Sequence, residues 1–193
     1  MAIKPDNGVH VADLVLQLGR AAYADCTAGG LTQAQWMALR FFARANRFSR
    51  NVSGFADFHA TTRGTASQTV KSLVEQGYLQ RTRSDKDGRS ARFDLTARAD
   101  EKLADDPMDD LVRAVGALGD RQKEQAAESL QQIMMNLAKG RGGSMLGACT
   151  LCGHLQTGDT FRCRLMQESL DASELEQLCV RFMPEKLVSD TNQ

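Results

Sequence analysis

The chain has 193 residues, no net charge and a hydrophobic fraction of 42%, which predicts one domain of usual size, or one domain with a small appendage. No apolar run approaches the roughly 20 residues that span a bilayer. The polar stretch 1–8 also lacks the apolar core of a secretion signal. These features exclude a membrane partner, and we expect a cytoplasmic protein.

The charge is unevenly distributed along the chain. Residues 40–98 contain twelve Lys or Arg and five Asp or Glu, a local net charge of +7 that the flanks balance with −7. A basic middle between acidic flanks is typical of a phosphate-binding face. An ordinary solvated surface has the same composition, so charge alone leaves both interpretations open.

Two helices are predicted in the first 45 residues. An apolar stripe indicates a helix over 9–26, which Gly29-Gly30 ends. A second helix follows over 31–45, because Thr32 is placed to cap it and Gln35 completes a capping box. Within it, helical spacing recurs at Trp36, Leu39, Phe42 and Ala43, and Trp36 is expected in the core rather than on a ligand surface.

A short helix over 53–59 and a longer one from Thr62 to about Gln76 are predicted next, with Gly77 ending the longer helix. Its inward stripe is Ala66, Val70, Leu73 and Val74. The opposite face and the helix start carry candidate DNA contacts: Arg63, Gly64, Thr65, Ser67, Gln68 and Lys71. Gln and Ser bond base edges, Arg binds guanine or phosphate, and Lys neutralises phosphate. Glycine lets the backbone approach closely.

A β-hairpin follows this helix. Strands are predicted over 78–83 and 89–95, and the charged turn 84–88 between them ends in glycine. A winged helix-turn-helix has this same order of elements: a helix, a short helix, a capped helix and a hairpin. In that fold the third helix enters the major groove. The fold class is therefore mainly α with a small β-hairpin wing, and Arg83 and Arg89 on the wing join the candidate DNA contacts.

Two further helices are predicted over 98–118 and 120–139, with Pro107 starting or bending a helix in the first span. Glycines at 140–144 indicate a flexible linker. The chain thus divides into a DNA-binding and dimerisation domain, 1–139, and a linker with a cysteine segment, 140–193. In that segment the capping-box spacing of Asp171 and Glu174 predicts a helix to about Arg181 that carries Cys179.

The sequence resembles the MarR family of bacterial regulators over about residues 9–139. Residues 62–70 and 73–79 resemble that family's recognition helix, and Asp87-Gly88-Arg89 followed by Leu95-Thr96 matches its wing signature. Leu31-Thr32 with Gln35-Trp36 matches its second helix. Each motif alone is weak, but their order and spacing together are fairly specific.

The resemblance implies a transcription repressor rather than an enzyme. It implies a homodimer with interlocking N- and C-terminal helices that binds a palindromic operator in double-stranded DNA. It places Arg89 in a minor groove, where Asp87 orients it through a charge-assisted hydrogen bond. By themselves, these two residues indicate only an ordinary solvent-exposed pair in a turn. The chain departs from the family at 53–58, where Ser-Gly-Phe-Ala-Asp-Phe replaces a Glu-Leu-Ala pattern.

Four of the five cysteines lie in the C-terminal segment, at Cys149, Cys152, Cys163 and Cys179, while Cys26 is expected to be a small core residue. Four thiols complete one zinc site or bind one iron–sulfur cluster. One Cys-x-x-Cys followed by two separate cysteines favours the cluster, whereas Gly153-His154 resembles a zinc knuckle. A thiol–disulfide switch between Cys149 and Cys152 is a third interpretation.

The leading hypothesis is a regulator whose operator affinity depends on the cysteine site. Because that site follows the last long helix directly, we expect cluster loss to act through this helix on the spacing of the two recognition helices. One alternative is a Cys-x-x-Cys oxidoreductase, which lacks a supporting βαβ context. Another is a zinc-stabilised docking protein, which leaves the recognition-helix pattern unexplained.

Overall fold

The computed structural model describes residues 7–23, 30–83, 91–141 and 145–184. The first part is the predicted winged helix-turn-helix. Its helices are α1 Asn7–Ala21, α2 Gln33–Arg44, α3 Val52–Phe58 and α4 Arg63–Glu75. The wing strands β1 Leu79–Arg83 and β2 Ala91–Leu95 pair antiparallel, with Leu79 opposite Leu95.

The predicted helix signals of α2 and α4 are confirmed. The Thr32 backbone N–H donates to Gln35 Oε1 at 2.8 Å, and the Gln35 N–H donates back to Thr32 Oγ1 at 3.3 Å. Thr62 Oγ1 accepts from the Thr65 N–H at 3.2 Å, and Gly77 follows α4 with φ of +75°. These short-range contacts satisfy backbone groups that a helix end otherwise leaves unpaired.

The core lies between α2, α3, α4 and the wing. Trp36 is fully buried, which confirms its predicted place in the core. Phe41 and Phe42 of α2 pack against Phe55 of α3, and Phe42 also contacts Phe93 of the wing. Each such aromatic side chain contributes about 1.5–3 kcal/mol by burial, so α3 and the wing are held on the same aromatic cluster.

Three helices follow the wing: α5 Ala97–Leu103, α6 Asp109–Gly116 and α7 Asp120–Arg141. The predicted span 98–118 is thus two helices, and Pro107 lies in the break between them. Helix α7 continues through Gly140 and Arg141, so the predicted linker begins inside a helix, and 142–144 lie outside the described residues. No described helix is long and apolar enough to cross a membrane.

The break between α5 and α6 is tied to α2 by an ion pair. Arg40 Nε donates to Asp106 Oδ2 at 2.7 Å, and the Met108 N–H donates to Asp106 Oδ1 at 2.8 Å. Burial by itself raises the pKa of Asp106, but the hydrogen bonds from Arg40 and Met108 outweigh it and hold the pKa below its ordinary value. Asp106 is therefore ionised in the folded chain.

Asp106→Asn should lower the free energy of unfolding by about 1–3 kcal/mol at neutral pH, because Arg40 is left partly buried without its counter-charge. The pKa of Asp106 is lower in the folded than in the unfolded chain. The contribution is therefore complete above the ordinary carboxyl range and disappears as pH falls through the lowered value. Urea unfolding followed by Trp36 fluorescence tests this, with the exposed neighbour change Asp105→Asn as control. Equal losses in both variants would contradict it.

The C-terminal segment is built from short strands. β3 Met145–Ala148 pairs antiparallel with β7 Leu178–Phe182. A three-stranded sheet contains β4 Leu155–Gln156, β5 Phe161–Cys163 and β6 Glu168–Leu170.

The predicted helix from Asp171 to Arg181 is wrong. Its capping box forms between Asp171 and Glu174, but it closes only the 3-10 turn Ala172–Glu174. Leu178–Phe182 continues as a strand, with Cys179 and Val180 buried in it. A capping box satisfies the first turn only, whereas pairing with β3 satisfies the backbone of the whole later segment.

This segment packs on the winged helix-turn-helix at the connection between α2 and α3. The Asn46 N–H donates to the Leu178 carbonyl at 2.9 Å, and Arg47 Nη1 lies 3.2 Å from Glu174 Oε2. Val180 belongs to the same buried cluster as Trp36. The cysteine segment therefore shares the core of the winged helix-turn-helix.

Candidate DNA-binding surface and cysteine site

Helix α4 presents one face to the core and the other to solvent. Its predicted inward residues Ala66, Val70 and Leu73 are buried, and Val74 is partly buried. All candidate contacts on its other face are exposed: Arg63, Gly64, Thr65, Ser67, Gln68 and Lys71. The face is thus open to a ligand, and the assignment of these side chains to DNA stays a prediction.

Polar groups on this face are held by weak local contacts. Thr65 Oγ1 lies 3.0 Å from Thr62 Oγ1, and Lys71 Nζ lies 3.7 Å from Glu75 Oε1 in an exposed pair. Exposed ion pairs of this kind contribute about 0–1 kcal/mol. Lys71 can therefore exchange Glu75 for a phosphate at little cost.

The base of the wing is held by Asp94. Thr82 Oγ1 donates to Asp94 Oδ2 at 2.8 Å, Arg50 Nη1 donates to Oδ1 at 3.0 Å, and Arg92 Nη2 donates to Oδ2 at 3.1 Å. Burial by itself raises the pKa of Asp94, but these donors outweigh it and lower the pKa. A charged carboxylate thus joins both wing strands to the α2–α3 connection.

Two predicted wing contacts have no described position. Arg83 ends β1, but its side chain is outside the described part of the structure, and Asp87-Gly88-Arg89 lie in the undescribed stretch 84–90. Cys26 falls in another such stretch, 24–29. Their predicted roles stay predictions.

The four C-terminal cysteines come together in one pocket. Cys149 lies in the turn after β3, Cys152 follows that turn, Cys163 ends β5 and Cys179 lies on β7. All four line the same pocket and are free thiols. His154, which follows the Cys-x-x-Cys pair, also lines it. The structure thus brings the four predicted cysteines around one pocket, and a shared metal or cluster on them stays a prediction.

The thiol of Cys149 is strongly perturbed. Burial, and after it the neighbouring Cys179, Cys152 and Cys163, raise its pKa to about 12, although a hydrogen bond from the Asn46 amide opposes the rise. Without a bound cation Cys149 is therefore protonated at neutral pH. A metal would have to displace that proton to bind the sulfur.

Two polar groups face these sulfurs. The Arg181 backbone N–H donates to Cys179 Sγ at 3.3 Å. Asn46 is 0% exposed and lines the pocket, yet its Nδ2 makes no hydrogen bond of normal geometry within the described residues. N–H groups aimed at sulfur are typical of bound thiolates. Sequence reasoning missed Asn46, because an Asn after an amphipathic helix carries no local signal of such a role.

The donor set fits a thiophilic metal or cluster, since four sulfurs from separate elements line one pocket. Within the described residues, however, no group of three or more His, Cys, Asp or Glu side chains is arranged to hold a metal ion. Loading therefore requires the sulfurs to move closer together.

Residues 29–90 match the sequence model of the MarR family, and no curated protein matches the chain. A MarR transcriptional regulator from Methanosarcina mazei Go1 is 23% identical with a TM-score of 0.54, covering 67% of this chain and 97% of its own. CouR from Rhodococcus jostii RHA1, bound to p-coumaroyl-CoA, is 20% identical with a TM-score of 0.57, covering 69% and 94%. MepR of S. aureus, in a DNA complex, is 15% identical with a TM-score of 0.52, covering 68% and 98%. These likenesses establish the winged-helix fold, and about a third of this chain lies outside each of them.

Proposed function

We propose that this chain, whose residues 29–90 match the MarR family, is a transcription regulator that binds double-stranded DNA through α4 and the wing. The observation that carries the proposal is the exposed polar face of α4 in the part of the sequence with a net charge of +7. Repression is the sign of control we expect from the family resemblance.

In this proposal α4 lies in the major groove. Gln68 and Ser67 bond base edges, while Arg63 and Lys71 bind guanine or phosphate. Arg83 and Arg89 extend the contacts to the wing side. The buried cluster that joins Phe42 and Phe55 to the inward residues of α4 supports the function, because it packs this helix against the rest of the domain.

Lys71→Ala should weaken binding to all duplexes and lower the slope of log K against log salt by about one, because one phosphate contact is lost. Gln68→Ala should instead relax preference at particular base pairs. Both are measured by fluorescence anisotropy on a duplex selected from random sequence by the wild-type protein. Asp57→Asn on the exposed surface of α3 is a charge-changing control. If both variants bind DNA like the wild type, α4 does not recognise the DNA sequence.

We also propose a homodimer that binds a palindromic operator. Helix α1 has no buried residue, and large apolar side chains stand exposed on α1 and α7, among them Leu16 at 62% and Met134 at 52% exposure. Apolar surface of this extent on two helices is typical of an interface. The exposed apolar side chains of α1, of α6 and the residues after it, and of α7 are Val9, Val11, Leu14, Val15, Leu16, Leu18, Val112, Val115, Leu118, Leu130, Ile133, Met134 and Leu137.

Ile133→Glu should convert the dimer to a monomer and abolish tight operator binding, since a charge replaces an apolar contact and one half-site alone is bound weakly. Light scattering at micromolar concentration measures the mass. Gln132→Glu, the neighbouring exposed change, should leave the dimer intact. A wild-type protein that is monomeric under these conditions would contradict the proposal.

For the cysteine site we propose an iron–sulfur cluster on Cys149, Cys152, Cys163 and Cys179, with zinc as the alternative. When bound, either group supplies cationic charge that holds four thiolates together. The oxidoreductase alternative is disfavoured, because the nucleophile of a Cys-x-x-Cys enzyme needs a lowered pKa and the pKa of Cys149 is raised.

A further inference from the structure

The connection between α2 and α3, residues 45–51, is bound to the cysteine segment. Ala45 forms a bridge with Leu178, next to Cys179 on β7. The Val180 N–H, on the other side of Cys179, donates to Ser49 Oγ at 3.1 Å. The backbone on both sides of one sulfur is therefore fixed to this connection.

The same connection holds the wing and α3, the helix on which α4 packs. The Arg50 carbonyl accepts from the Phe93 N–H of the wing at 2.9 Å, and Arg50 also bonds Asp94. On the α3 side, a Cβ added to Gly54 would lie 2.2 Å from the Ser49 carbonyl oxygen. This contact leaves no free space, so a displacement of Ser49 must displace α3.

Asn46 lies within this connection and links it to the cysteine pocket. Its Oδ1 accepts from the Ser49 N–H at 3.1 Å and from Ser49 Oγ at 2.8 Å. Its Nδ2 is buried in the cysteine pocket and makes no hydrogen bond of normal geometry in the described part of the chain. A buried donor without a well-placed acceptor is unfavourable, and the thiol of Cys149 is the acceptor group beside it.

We propose that Asn46 senses the loading of the four-cysteine site and transmits it through Ser49 to α3 and the wing. The inference rests on the proposed DNA-binding function. When a metal or cluster binds, the four sulfurs draw together, and Cys149 and Cys179 shift relative to Asn46, which lines the same pocket. The loaded state therefore favours one position of Asn46, and the coupling comes from this difference between the two states.

This route differs from transmission through α7. A contact between the cysteine site and the α2–α3 connection acts within one subunit, on the elements that hold the recognition helix. This route therefore does not depend on residues 142–144, which follow α7. Asn46 is a positioning residue here, and its effect on DNA is exerted through Ser49 and Gly54.

The test compares operator affinity of loaded and metal-free protein at one salt concentration. Protein is reconstituted anaerobically with ferrous iron and sulfide, or separately with zinc, and the duplex is selected from random sequence by both forms. Asn46→Asp replaces the Nδ2 donor but keeps the Oδ1 acceptor. Ser49→Ala removes the hydroxyl that donates to Asn46 Oδ1 and accepts from the Val180 N–H, and it leaves the four cysteines unchanged. Ser169→Ala, at an exposed position on β6, is the matched control.

We expect wild type and Ser169→Ala to differ between loaded and metal-free forms by about tenfold in affinity, within the usual range of allosteric coupling. Asn46→Asp and Ser49→Ala should lose most of this ratio, and Ser49→Ala should keep its metal content. Amide exchange of wild-type Asn46, Ser49 and Val180 should slow on loading, a readout that does not depend on variant folding.

Three results would overturn the inference. Variants that keep the wild-type ratio would show that another route carries the coupling, with the DNA-binding function intact. Equal operator affinity of loaded and metal-free wild type, or failure of both reagents to load the site, would show that the regulator does not respond to the cysteine site. Absence of DNA binding in both forms would reject the proposed function itself.

Discussion

Gly54→Ala should destabilise the protein by about 3 kcal/mol or more, at the upper end of the usual cost of overpacking. The new Cβ would stand 2.2 Å from the Ser49 carbonyl oxygen and 3.1 Å from its carbon. Both are backbone atoms, which cannot rotate away as a side chain can. Either α3 shifts or the α2–α3 connection opens, and in both cases the support of α4 is lost.

Gly64→Ala is the matched change on the neighbouring helix. A Cβ there meets only Thr62 Oγ1, at 3.8 Å, so the free energy of unfolding should stay the same or rise by about 0.5–1 kcal/mol. DNA affinity should still fall, because the methyl group stands between the backbone and the groove. Urea unfolding and anisotropy measure the two effects separately. Equal stability of Gly54→Ala and wild type would contradict the packing argument.

Cys149→Ser and Cys163→Ser should each remove the visible absorption of protein purified without oxygen, because three thiolates hold a cluster poorly. The thermal midpoint should fall by about 5–10 °C, since metal-binding free energy contributes directly to folding in small sites and each kcal/mol is worth a few degrees here. Limited proteolysis should then cleave within 145–184 before 30–83. The large effect is expected because this segment has short strands and few buried side chains of its own.

Cys26→Ser, which changes the one cysteine outside the segment, is the control and should keep the visible absorption. Iron and sulfide analysis separates the two cofactors: colourless wild-type protein with stoichiometric zinc would reject the cluster and support the alternative. Wild-type protein that takes up neither metal, and resists proteolysis to the same degree as Cys149→Ser, would reject a metal site altogether.

The winged helix-turn-helix could be predicted from the sequence because its signals are local. Thr32 with Gln35, and Thr62 before Arg63, mark helix starts through contacts three residues apart. The inward stripe of α4 follows from helical periodicity, and the hairpin follows from its turn. The grouping of four cysteines in one segment was also visible, since clustered thiols in a chain of this kind indicate a shared site.

Only the tertiary structure decided where the cysteine segment lies and how it is connected. The residues after Glu174 form a strand and not a helix, because β3, about 30 positions earlier in the chain, offers backbone partners that a local pattern does not contain. The close contact that requires glycine at position 54, and the burial of the Asn46 amide in the cysteine pocket, likewise arise from contacts across the α2–α3 connection. Propensity and spacing describe neighbours along the chain, whereas these features depend on atoms that folding alone brings together.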